Sequence, residues 1–268
     1  GVAWGGWAGG SKYSLMGGLR ASAQMISYEL SLGLTFLSIV MINETLSLVE
    51  IVEFQMTHGW NVIYQPVAMC LFIVSMFAET NRLPFDLPEA ETELVGGYHT
   101  EYSSMRFGLF FLGEYLHMIA VSSLCTVLFL GGWLPPFPEW AGWTSLAHGM
   151  NNSIGAIPWV GSYILSVLFV LTPLAIFMTK VFAFMFLFVW VRGTFPRFRY
   201  DQLMKIGWKV LLELAFVNLF IAAFMRASWP EPTWSWIILQ GLLAIIFFWI
   251  TWNVELGSKS DNTVTLED

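Results

Sequence analysis

Six long apolar runs divide the chain, each bounded by polar or charged residues: Leu19–Asn43, Val62–Ala78, Phe107–Leu130, Tyr163–Val191, Ile206–Ala227 and Trp234–Trp252. A helix rises about 1.5 Å per residue, so roughly 20 residues cross the ~30 Å hydrocarbon layer of a bilayer. The pattern predicts an all-α, polytopic membrane protein with about six transmembrane helices and both chain ends on one side. Between the runs it predicts a glycine-rich loop at 1–18, loops at 79–106 and 192–205 on the side of the chain ends, and a polar tail at 253–268. On the other side, Leu46–Met56 has the spacing of a short amphipathic helix lying at the interface, and Trp133, Trp140, Trp143 and Trp159 read as an aromatic belt.

Composition agrees with lipid as solvent. Only 12% of the 268 residues are charged while 56% are hydrophobic, against about 25% charged in soluble domains. Ten of the twelve basic residues, Lys12, Arg20, Arg82, Arg106, Arg192, Arg197, Arg199, Lys205, Lys209 and Lys259, fall on the side of the chain ends, and Arg226 alone on the other. Because short cytoplasmic loops retain Lys and Arg, that side is predicted to be cytoplasmic, or the matrix or stroma of an organelle. The net charge of −7 gives no basic footprint for nucleic acid. Cys70 and Cys125 stand alone in apolar runs and read as buried thiols, too few to hold an iron–sulfur cluster or a structural zinc. No phosphate loop, dinucleotide fingerprint or nucleophile motif occurs. The start has neither an initiator Met nor the features of a signal peptide, and reads as a beginning inside a longer sequence.

Charge concentrates in one loop. Between Glu79 and Glu101 stand six carboxylates (Glu79, Asp86, Glu89, Glu91, Glu93, Glu101) against Arg82, a net charge of −5. Pro88 suits the first turn of a helix, which puts Glu89 and Glu93 on one face. At ~6 Å and an effective dielectric of ~20 such a pair repels by about 3 kcal/mol, equivalent to about two pKa units. A cluster of this kind holds protons near neutral pH; the plainer alternative is a solvated acidic loop. Ionisable groups also fall inside the runs: Glu29, Glu114, Lys180 and Glu213. At membrane depth such groups usually face the protein interior and mark ion or proton routes. A structural role stays open for each: Lys180 as a neutralising partner of Glu29 or Glu114, Glu213 as a partner of Lys209. His117 reads as a satisfied core histidine. The stretch Arg192–Lys205, with Arg192, Arg197, Arg199 and Lys205 around Phe195, Phe198 and Tyr200, reads either as an anchor on anionic lipid or as a dock for a soluble partner.

The segment Ala78-Glu-Thr-Asn-Arg-Leu-Pro-Phe-Asp-Leu-Pro-Glu-Ala-Glu-Thr-Glu-Leu-Val-Gly-Gly-Tyr-His-Thr-Glu-Tyr-Ser103, continuing through Phe107-Gly-Leu-Phe-Phe-Leu-Gly-Glu-Tyr115, closely resembles the signature of the family of H-type membrane subunits of respiratory complex I. Lys12–Glu29 and Arg197–Met204 resemble two further stretches of that family, so the likeness runs from Lys12 to about Ala227. The resemblance implies a non-redox membrane subunit of a proton-translocating NADH:quinone oxidoreductase. Quinone is then the substrate of the complex, and FMN and iron–sulfur clusters lie in partner subunits of the peripheral arm. Other membrane subunits and lipids complete its surroundings, in a bacterial cytoplasmic membrane or an organellar energy-transducing one. Carried over by position, Arg20, Glu29, Glu79, Arg82, Asp86, Glu89, Glu91, Glu93, Glu101 and Glu114 match the family's quinone chamber and acidic proton path. Arg192, Arg197, Arg199 and Lys205 fall where the peripheral arm would dock. Two departures stand out: the family's helices before the Lys-Tyr-Ser stretch are not in this sequence, and the last run with its polar tail is an addition. If those helices are absent, another chain must supply part of the quinone channel. The corresponding subunit of a membrane-bound hydrogenase or ferredoxin-linked complex is the near alternative. A stand-alone channel or transporter is the distant one, and the inverted repeats it calls for are not found.

Overall fold

The computed structural model describes residues 1–86, 97–135, 160–229, 236–243 and 245, and among them every regular element is a helix. Glu89, Glu91, Glu93, Trp140, Trp143, Trp159 and the polar tail lie outside the described residues. The chain opens with α1 (Val2–Ala8), α2 (Lys12–Asn43) and α3 (Leu48–His58). It continues through α4 (Asn61–Tyr64), α5 (Pro66–Glu79), a 3-10 turn at Gly97–His99 and α6 (Ser104–Phe129). Then come α7 (Val160–Thr194), α8 (Tyr200–Ile206), a π-helical turn at Gly207–Leu211, α9 (Leu212–Ser228) and α10 (236–243). Among the described residues, four stretches are long and apolar enough to cross a membrane: α2, α6, Leu171–Thr194 and Tyr200–Ser228.

Three expectations change. The glycine-rich opening, expected as loop, is helical on both sides of Gly9–Ser11, because Gly6 and Gly18 let α1 and α2 touch backbone to backbone. The expected single span Val62–Ala78 is two helices, since Pro66 lacks an N–H and turns the residue before it away from helical geometry; Gln65 has φ −136°. Cys125 is buried, but Cys70 lies on the exposed side of α5. The amphipathic helix expected near Leu46 is α3, with Ile51, Val52 and Gln55 turned inward.

Helix α2 organises the rest. Its outward face carries Leu15, Leu19, Ile26, Leu30, Leu37 and Met41, while Ser14, Gln24, Ser27, Ser31, Thr35, Ser38 and Asn43 are buried on the other. Their spacing of mostly three and four residues makes a polar seam along one helix face. Hydroxyls in such a seam bond back to their own helix and across to neighbours, which is how helices adhere where lipid removes the hydrophobic drive. Ser31 Oγ lies 2.7 Å from Ser75 Oγ on α5, Trp208 Nε1 donates to Ser27 Oγ at 2.8 Å, and Asn218 Nδ2 of α9 donates to Ser38 Oγ at 3.2 Å. Just past the far end of α2, Glu44 accepts from Arg226 Nε at 2.8 Å, and the guanidinium holds its carboxyl below the ordinary value.

Near the start of α2, a Cβ built on Gly17 would lie 2.7 Å from the backbone nitrogen of Tyr98. Gly17→Ala is therefore expected to destabilise the chain by about 1–3 kcal/mol. Gly33→Ala, where an added methyl meets nothing within 4 Å, is expected to be neutral or to stabilise by up to about 1 kcal/mol. Thermal unfolding of both variants in detergent measures the contrast, and equal midpoints would count against close approach at Gly17.

Candidate functional site

The chain leaves α5 at Glu79 and turns at once. Thr80 Oγ1 donates to Met76 O at 3.0 Å, Asn81 takes a left-handed φ of 51°, and Phe85 N donates to Arg82 O at 2.8 Å. Gln24, wholly buried in α2, fixes this turn from the side: its Nε2 donates to Ala78 O at 2.7 Å and to Phe85 O at 2.8 Å. The Phe85 ring then stands between Tyr28 and Phe198, 5.8 and 5.6 Å away. Phe198 belongs to the distant basic stretch, which docks on the same turn. Phe198 N donates to Pro84 O at 3.2 Å, Arg197 Nη2 donates to Asp86 Oδ2 at 2.8 Å, and Tyr28 Oη donates to Leu203 O at 3.0 Å. The acidic and basic loops thus meet at one end of the bundle.

Beside this turn, α6 presents Glu114 and His117, three residues apart and so on one face. Arg82 Nε lies 2.9 Å from Glu114 Oε1 with side chains 12% and 13% exposed, and Arg82 Cζ lies 4.6 Å from the Tyr115 ring centroid. The contact is an ion pair without aligned hydrogen-bond geometry, since Arg82 Nε and Nη2 make no hydrogen bond among the described residues. Glu79 Oε1 lies 3.5 Å from His117 Nε2. Glu79, Glu114 and Asp86 are thus each paired with a base, His117, Arg82 and Arg197, on and around the turn after α5, with the side chains partly desolvated. In such a place one added charge ~6–10 Å away changes the energy of each ionised group by roughly 2–3 kcal/mol at an effective dielectric of ~20.

Not every candidate joins the cluster. Arg20 is half-buried with its Cζ 5.6 Å from the Tyr200 ring centroid. Glu29 lies on the exposed face of α2, away from the turn, because Gln24, Ser27, Tyr28 and Ser31 fill the inward face. Glu101 is exposed beyond the 3-10 turn. Glu213 is exposed and makes no ion pair with Lys209 among the described residues: the π-helical turn at Gly207–Leu211 takes the two out of the i, i+4 register. Arg192, Arg199 and Lys205 are exposed, whereas the Arg197 head group is engaged by Asp86.

A family model described as NADH dehydrogenase matches residues 1–223, a range that contains every group of this cluster. The chain belongs to that family. It is 47% identical over 231 residues to an H-type NADH-quinone oxidoreductase subunit of Koribacter versatilis, covering 85% of this chain and 59% of that one. It is 48% identical over 227 residues to the H-type NADH-quinone oxidoreductase subunit of Salinibacter ruber, covering 83% of this chain and 61% of the other. With the H-type subunit from Syntrophotalea carbinolica the identity is 45% over 241 residues, or 90% of this chain and 59% of its relative. The chain thus spans about three fifths of the length of these relatives.

In this NADH dehydrogenase family member, two site residues escape sequence reasoning and a third is misplaced by it. His117 belongs to the cluster and not to the core expected for it, and its spacing from Glu114 is a signal that both face α5. Gln24 carries a signal only as one step in the polar period of α2. Lys180, expected to neutralise Glu29 or Glu114, pairs with neither. Its Nζ donates to Leu130 O, Gly132 O and Leu134 O at 2.6, 2.9 and 2.6 Å and lies 4.8 Å from the Trp60 ring centroid. An ammonium has three donors, and here each meets a carbonyl of the turn that ends α6, where Gly131 and Gly132 take φ 69° and 53°. The cation also suits the negative end of the helix dipole.

Lys180→Met is expected to cost roughly 3 kcal/mol or more, because three carbonyls lose their donor together. Lys180→Gln, which keeps an N–H donor group, should recover part of that loss. Thermal unfolding of the chain in nanodiscs checks both, and equal stability of Lys180→Met and the unsubstituted chain would remove Lys180 from this role.

Proposed function

We propose that the chain acts as the H-type membrane subunit of a proton-translocating NADH:quinone oxidoreductase, and that the cluster Glu79, Arg82, Asp86, Glu114 and His117 links quinone chemistry to proton movement. The observation that carries the reading is the pairing of acids with bases on and around the turn after α5 in a chain of this family. The chain supplies no electrons itself; those come from FMN and iron–sulfur clusters in partner subunits. Quinone reduction takes up two electrons and two protons, so a negatively charged reduced quinone stands briefly near the membrane surface. Its arrival raises the proton affinity of nearby carboxylates and imidazole, and its protonation and departure lower it again. Glu89, Glu91, Glu93 and Glu101, which continue the same acidic loop in the sequence, supply further carboxylates to this path. Arg20 and Glu29 border the quinone chamber and proton path, Glu29 from the outward face of α2, where a neighbouring subunit covers it.

The basic residues Arg192, Arg199 and Lys205, with the exposed Phe195, form the dock for the peripheral arm, and Arg197 ties that dock to the acidic turn through Asp86. This end of the bundle faces the cytoplasm of a bacterial inner membrane, in keeping with its share of Lys and Arg. A perturbation at the arm interface therefore reaches the acidic turn through one ion pair and the Phe85–Phe198 contact.

In the assembled complex, the Glu91→Gln, Glu93→Gln double variant and Arg82→Ala are each expected to lower quinone reductase turnover and proton pumping together by tenfold or more. Electron transfer from NADH to an artificial acceptor should stay within twofold of the unsubstituted level, since those electrons never reach this subunit. Full coupled turnover in a correctly assembled double variant would sink the coupling role. Cross-links from Arg192–Lys205 should reach a soluble subunit, and cross-links to lipid alone would return the stretch to a membrane anchor.

A further inference from the structure

We propose that a water molecule is bound in the interior of the bundle between Trp236 Nε1 and Gln240 Oε1, on the inward face of α10. Both residues are wholly buried, and α10 lies past the residues matched by the family model. Gln240 ends a chain of neutral polar side chains that crosses three helices. Its Nε2 donates to Asn218 Oδ1 at 3.3 Å, Asn218 Nδ2 donates to Ser38 Oγ at 3.2 Å, and Ser38 Oγ lies 3.0 Å from Gln65 Oε1. The direction of the chain is set at its far end. The Ser38 hydroxyl has one proton, which goes to Thr35 O at 2.7 Å or to Gln65 Oε1, whose Nε2 is turned to the carbonyl of Ser38 at 3.5 Å, so toward Asn218 the Ser38 oxygen can only accept. Ser38 Oγ then accepts from Asn218, and Asn218 Oδ1 from Gln240, which leaves Gln240 Oε1 over as an acceptor.

Among the described residues that oxygen has no donor, and one turn earlier on the same helix face the Trp236 indole N–H has no acceptor. Residues four apart lie on one face of a helix, and a water placed between two such side chains reaches a polar atom of each through hydrogen bonds of ~2.8–3.0 Å. Water both accepts and donates, so one molecule satisfies the pair, and buried waters are held by 2–4 such partners. An ion does not fit, because all the polar groups of the chain are neutral. A larger ligand does not fit either, since Ile42, Ala222 and Met225 pack against Trp236 with 0–2% exposure. The water closes the polar chain and fixes α10 in register on α2 and α9.

Hydroxyl-radical footprinting of the full chain in nanodiscs tests this, because radiolysis of a bound water labels side chains that bulk radicals do not reach. Trp236 is expected to be oxidised at least fivefold faster than the equally buried Phe129, and Gln240→Met should reduce that label at least threefold. Labelling of Trp236 no faster than Phe129, or unchanged in a folded Gln240→Met variant, would overturn the proposal. A density map of the unsubstituted chain fine enough to resolve water gives an independent reading: a peak within 3.2 Å of both atoms supports the site, and clear side-chain density without a peak refutes it.

Discussion

Where a backbone breaks inside a membrane, its hydrogen-bonding groups must be satisfied by protein, since hydrocarbon supplies no partner. Much of this bundle follows from that constraint. At the end of α5, the carbonyls of Ala78 and Phe85 are both taken by Gln24. At the end of α6 the work is divided: Gln55 Nε2 takes Val127 O at 2.9 Å, Asn61 Nδ2 takes Leu128 O at 2.9 Å, and Lys180 takes the carbonyls of Leu130, Gly132 and Leu134. Each interruption is thus bolted by an amide or ammonium from a different helix. The bolts account for buried polar residues that a purely apolar core would exclude, and they hold neighbouring helices in one relative position.

That arrangement explains how an acidic turn keeps its geometry beside the membrane. Arg82, just past α5, and Glu114 of α6 face each other at 2.9 Å, largely out of water, so that removing either partner leaves the other charge stranded. Such a pair needs a rigid seat. Gln24 supplies it from one side, and the Phe85 ring, held between Tyr28 and Phe198, supplies it from the other. The Glu79–His117 contact lies beside the same seat, so its two partners are held by neighbours that keep their places.

The helical class and the runs that correspond to α2, α6, α7 and α9 are legible in the sequence because apolar length is a one-dimensional property. The meeting of the acidic and basic loops is only half legible: charge puts them on one side of the membrane, but no local pattern pairs Asp86 with Arg197 across the intervening sequence. Facing directions are the least accessible. Charge in a span usually turns inward, which suggests an inward Glu29, yet the polar period Gln24, Ser27, Ser31 on α2 already claims that face. For Lys180 opposite charge is the obvious partner, whereas its true partners are carbonyls with no signature in residue type. The glycine-rich opening misleads for a related reason, since glycine permits a loop and a close helix contact equally, and only the neighbour decides between them.

The π-helical turn at Gly207–Leu211 sits between two anchored segments: Leu203, buried upstream and holding Tyr28 Oη, and Asn218, buried downstream and holding Ser38. A widened turn of this kind accommodates one residue more than regular α geometry. Loss of a single residue here would restore a uniform helix and leave Leu203 on Tyr28 and Asn218 on Ser38, whereas loss of a residue from a regular α segment turns one side by about 100° relative to the other. In evolutionary terms the turn is the one place between Leu203 and Asn218 where a single-residue deletion is admissible, and the register that keeps Phe198 and Arg197 on the acidic turn survives it.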